Sequence, residues 1–106
     1  MALLSVFWTE TAIAQRNHIF EYWNSRNGSR TFSKNLLSII NNNINLIKRF
    51  PGLGKKTDFD EHRVLTLDDF SLFYKFDSER IIITAFWDNR QDPEKLLFLL
   101  NKKDVK

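Results

Sequence analysis

The stretch His62–Trp87, HRVLTLDDFSLFYKFDSERIIITAFW, decides the fold. It divides into three runs rich in β-branched and aromatic residues, His62–Leu67, Phe70–Phe76 and Arg80–Trp87, and runs of that length and makeup read as strands. Asp68-Asp69 and Asp77-Ser78-Glu79 separate them. Turns so short join neighbouring strands in opposite directions, so the three predict an antiparallel meander. Alternation sets Val64 and Thr66 against Arg63, Leu65 and Leu67, and sets Phe70, Leu72, Tyr74 and Phe76 against Phe73.

Upstream, Phe32, Leu36, Ile39, Ile40, Ile44, Ile47 and Phe50 recur at three- and four-residue intervals, which predicts a long helix with one apolar stripe from about Arg30. Pro51 and the glycines Gly52 and Gly54 stop it. Further upstream, Asn27-Gly28-Ser29 supplies a turn. Before that turn, Ala12, Ile13, Ile19, Phe20 and Trp23 mark a first helix over about Glu10–Asn24, capped by Thr9 or Thr11. The apolar run Leu3–Trp8 is a first strand. Downstream, Asp92 as N-cap and Pro93 at the first helical position start a short closing helix carrying Leu96, Leu97, Leu99 and Leu100. The order β-α-α-β-β-β(-α) places an N-terminal helical hairpin on one face of a mostly antiparallel four-stranded sheet, an α+β two-layer sandwich.

Composition narrows the function. At 106 residues the chain is expected to be a single domain over 1–106. No apolar run approaches the length of a membrane span, and the N-terminus lacks the pattern of a signal peptide, so a cytoplasmic protein is expected. The absence of cysteine excludes disulfides and thiolate chemistry. Two histidines without a carboxylate at ligand spacing predict no metal site, and no cofactor is expected. The net charge of +3 conceals an asymmetry: residues 15–56 hold eight basic side chains and only Glu21, a net of 8 − 1 = +7, whereas residues 57–100 hold ten acidic and five basic, a net of 5 − 10 = −5. A positive lobe on the helical half would draw a polyanion or an acidic protein segment.

Five motifs in this order, VFWTETA at Val6–Ala12, NGSR at Asn27–Arg30, LIKRFPGLGKK at Leu46–Lys56, HRVL at His62–Leu65 and WDNRQDPEKL at Trp87–Leu96, resemble the RelE/ParE superfamily of type II toxin-antitoxin toxins. The resemblance implies a small toxin made beside an antitoxin, whose acidic, partly disordered segment wraps and suppresses it in a hetero-oligomer. It also implies one of two activities. RelE-like members cut messenger RNA on the ribosome, and ParE-like members poison DNA gyrase.

The two differ in the chemistry they need. Metal-free RNA cleavage requires a base for the 2′-OH, an acid for the leaving oxygen and cations on the phosphorane charge. By position, the resemblance assigns cationic roles to Arg63 and Arg90. Leu65 stands where the nuclease pattern has a second lysine, and Ser71 stands where it has an arginine. His62 is a candidate base and Lys75 or Arg80 are cations that could be recruited, but alternation puts His62 on the opposite face from Arg63. The ParE-like branch is therefore favoured, with growth inhibition through gyrase, and ribosome-dependent cleavage is the alternative.

For either branch, the expected target- or antitoxin-binding residues are Arg63, Tyr74, Lys75, Arg80, Arg90, Lys55 and Lys56. Each has a plainer reading: Arg90 locked by Asp88 or Asp92, Arg63 a surface cation, Lys55 and Lys56 a solvated loop, the sheet aromatics a core. A small binding module without toxicity, or a nucleic-acid-binding domain using the basic helices, is the third reading.

Overall fold

The computed structural model describes residues 4–58 and 61–91. Strand β1 (Ser5–Trp8) leads into helix α1 (Glu10–Asn27) and helix α2 (Thr31–Arg49), followed by a 3-10 turn at Pro51–Leu53. Strands β2 (Lys55–Lys56), β3 (Arg63–Leu67), β4 (Phe70–Phe76) and β5 (Arg80–Asp88) complete the sheet. Its order is β1-β5-β4-β3-β2. The meander is antiparallel throughout, while β1 lies parallel to β5 with Ser5 opposite Arg80 and Trp8 opposite Ile83.

The expected α+β sandwich is the one observed, with five strands rather than four. The addition is β2, whose Lys55 and Lys56 pair with Val64 and Arg63. Two lysines carry no strand pattern, and partners supplied by β3 make them one. Helix α1 extends one turn past the expected Asn24, because no residue before Gly28 opposes helix. Gly28 ends it at φ 65°, the left-handed conformation that glycine adopts without steric cost. At its start the Thr9 hydroxyl accepts from the Ala12 amide at 3.1 Å. The closing helix expected from Asp92 onward lies outside the described residues.

The α2 stripe supplies the centre of the core. Leu36, Ile40, Ile44 and Ile47 are buried against Leu67, Leu72, Ile81, Ile83 and the stacked pair Phe70 and Phe86, whose centroids are 5.6 Å apart. From α1 come Ala12 and Ile19. Where the two helices meet, Trp23 packs on Phe32 at 4.9 Å, and the Ser33 hydroxyl donates to Asn24 at 2.6 Å.

Strand β5 is not regular. Phe73 faces Ala85, but the next pair is Tyr74 with Ile83, so Thr84 is an inserted residue. This bulge allows Ile81 and Ile83 on one side of Thr84, and Phe86 on the other, all to be fully buried in the core. Helix α1 fastens it: Gln15 Oε1 accepts from the Phe86 amide at 2.9 Å. Among the described residues no helix is long and apolar enough to cross a membrane.

Candidate functional site

The sheet presents charged side chains at both of its ends. At one end the chain leaves α2, turns through Pro51–Leu53 and enters β2. Tyr74 of β4 holds this segment: its hydroxyl donates to the Pro51 carbonyl at 2.7 Å and accepts from the Gly54 amide at 2.9 Å. Burial pushes the Tyr74 phenol above its ordinary value, against the smaller opposing effects of the Gly54 amide and the Arg63 charge. Arg63, opposite Tyr74 on β3, donates to the carbonyls of Gly54 at 2.8 Å and Gly52 at 3.2 Å, with its guanidinium 5.7 Å from the Phe76 ring.

Beside this clamp lies a cleft of about 400 Å³ lined by Lys56, Thr57, Glu61, His62, Arg63, Lys75 and Phe76. It brings together four of the residues singled out by sequence. Their roles differ, however. His62 is 2% exposed, Arg63 is turned onto backbone carbonyls, and Lys56 is exposed.

At the other end, Arg90 follows the exit of β5. Its guanidinium forks onto the Asp88 carboxylate, Nε to Oδ1 at 2.8 Å and one terminal nitrogen to Oδ2 at 2.7 Å. It also lies 4.8 Å from the Trp23 ring and 5.7 Å from that of Phe70. Burial pushes the Asp88 carboxyl up, but the Arg90 side chain, its backbone amide and its charge outweigh this and hold the carboxyl below its usual range. The same bond raises the Arg90 guanidinium further. Around the fork a second cleft, of about 430 Å³, is lined by α1 residues including His18, Tyr22, Trp23 and Arg26.

Arg63 and Arg90 therefore do not meet. Arg63 sits opposite Tyr74, whereas Arg90 lies beyond Asp88, which is opposite Phe70. Four residues of strand separate the two rungs by about 13 Å. Neither cleft contains both arginines.

Arg80, the first residue of β5, lies 3.7 Å from Asp77 in the turn before it, both more than half exposed. Lys55 is exposed on the edge strand. The expectation that Tyr74 touches a target or antitoxin is corrected: it is 0% exposed, because the loop it clamps covers it. The sequence places Trp23 among the apolar residues of the first helix without singling out the cations over its ring, Arg90 at 4.8 Å and Arg26 at 5.7 Å from its centroid. The available signal was the three-residue spacing of Trp23 and Arg26 on α1. No group of three or more metal-ligating side chains occurs among the described residues.

A family model described as "ParE toxin of type II toxin-antitoxin system, parDE" matches residues 6–93. Comparison with curated proteins gives no match. Among solved structures, a chain of "Chromosomal ParDE TA system from P. aeruginosa" is similar with a TM-score of 0.66 and 19% identity, over 79% of this chain and 94% of that one. At that identity the likeness is one of fold.

Proposed function

From the premise that this chain belongs to the ParE toxin family of type II toxin-antitoxin systems, we propose that it inhibits growth in the cytoplasm by binding and poisoning DNA gyrase, and that a cognate antitoxin neutralises it. The observation that carries the non-catalytic part is the separation of Arg63 from Arg90. A metal-free ribonuclease needs its cations, base and acid around one phosphate. Here one arginine grips the carbonyls of a glycine loop and the other grips Asp88, at opposite ends of the sheet. The imidazole nearest to Arg63, that of His62, is buried.

Induced expression tests this reading, with DNA damage response, translation and transcript integrity followed together. DNA damage with translation intact, together with accumulation of cleaved DNA when purified gyrase is mixed with the protein, is the expected result. Immediate arrest of translation with site-specific transcript cutting overturns it in favour of the ribosome-dependent nuclease.

A further inference from the structure

We infer that the C-terminal end of α2, with the turn that follows it, is the seat of an acidic, apolar-faced segment of the antitoxin; this rests on the toxin reading above. Leu46 is 46% exposed, Phe50 62% and Leu53 51%, three large apolar side chains left in water within eight consecutive residues. The fold holds them close. The Phe50 amide donates to the Leu46 carbonyl, and the Leu53 amide to the Phe50 carbonyl, both at 2.9 Å. Such a cluster on a small domain marks an interaction surface.

Charge identifies the occupant. From Tyr22 to Thr57 the chain contains no aspartate or glutamate. Arg49, Lys55 and Lys56 flank the apolar trio, are exposed, and make no ion pair with any described residue. A nucleic acid would satisfy the cations and leave the apolar side chains wet, whereas a second copy of this chain would cover the trio and oppose its charges. A segment alternating carboxylates with leucine-like side chains answers both, and ordering it on a preformed surface is a familiar mode of recognition.

The test titrates the purified protein with the product of the adjacent reading frame, the antitoxin in this reading. Phe50→Ser with Leu53→Ser, and separately Arg49→Glu with Lys55→Glu and Lys56→Glu, are compared with Leu37→Ser on the opposite side of α2, each checked by circular dichroism. Expected is a loss of affinity of about tenfold or more in the first two sets, salt-dependent in the second, with Leu37→Ser unchanged. Wild-type binding undiminished in both sets overturns the surface and leaves the toxin reading standing. Failure of the wild type to bind sinks both. A loss confined to a short DNA duplex, or a wild-type dimer that Phe50→Ser with Leu53→Ser makes monomeric, also overturns the proposal.

Discussion

Tyr74 and Gly54 are fitted to one another so closely that neither has room to change. A Cβ added to residue 54 would lie 2.7 Å from the Tyr74 hydroxyl oxygen and 2.8 Å from its Cε1, in a place where the glycine amide already donates to that oxygen. Gly54 has φ −68° and ψ 153°, open to any residue, so the requirement is spatial and not conformational. Gly54→Ala should cost about 1–3 kcal/mol by overpacking. Tyr74→Phe should cost a similar amount, about 1–3 kcal/mol, by leaving the Gly54 amide without its partner. The two should not add, since Phe at 74 removes the atom nearest to the new methyl group. Urea unfolding of the single and double variants measures the coupling, and strict additivity would show that the contact does not govern the loop.

The same phenol sets an alkaline limit. Burial raises its folded value above the ordinary 10.0. The unfolded chain therefore ionises Tyr74 first as pH rises. Its contribution is complete below the unfolded value and is lost as pH climbs through the folded one. The free energy of unfolding, followed from neutral pH upward, should fall more steeply for wild type than for Tyr74→Phe. Parallel curves would mean that the phenol does not resist ionisation in the fold.

The two ends of the molecule were not equally legible in sequence. The α2 stripe and the meander follow from spacing alone, because one buried face dictates which positions are apolar. Lys55 and Lys56 gave no sign of being a strand, since their extended conformation is imposed by Val64 and Arg63. The Thr84 bulge was hidden for a similar reason: RIIITAFW reads as an uninterrupted run, and only pairing with β4 reveals the insertion. Alternation gave the face of Tyr74 but not its depth, which depends on a loop folding over it. By contrast, the Asp88–Arg90 fork was open to sequence reading because its partners are two residues apart.

That fork predicts an acid dependence. Asp88 is held below its ordinary 3.8, so its contribution is present above that value and disappears as pH falls through the lower folded one. Arg90→Lys keeps the charge but loses the two-point grip and the guanidinium's contact with the Trp23 ring. With the Arg90 side chain 48% exposed, the loss should be modest, about 0.5–1 kcal/mol. Thermal unfolding at neutral pH and near pH 3 measures both effects. A variant as stable as wild type at neutral pH, or one whose deficit is unchanged in acid, would contradict the assignment.

Gln15 offers the sharpest separation of hydrogen bonding from charge. Its Oε1 accepts from Phe86 just past the bulge, while its Nε2 is buried with no hydrogen-bond partner among the described residues. Gln15→Leu strands the Phe86 amide but also removes an unsatisfied donor, so it should cost only about 1 kcal/mol. Gln15→Glu keeps the acceptor and buries a carboxylate whose charged form is penalised, which raises its folded pKa. The variant is therefore least penalised in acid, below the unfolded value, and loses stability as pH rises through the folded one, because the charge must then be buried. Relative to wild type, Gln15→Glu should be weak at neutral pH and recover near pH 4, whereas Gln15→Leu should show the same deficit at both. Urea unfolding at the two pH values distinguishes them, and a Gln15→Glu deficit that does not shrink in acid would mean that the bulge takes its partner from elsewhere.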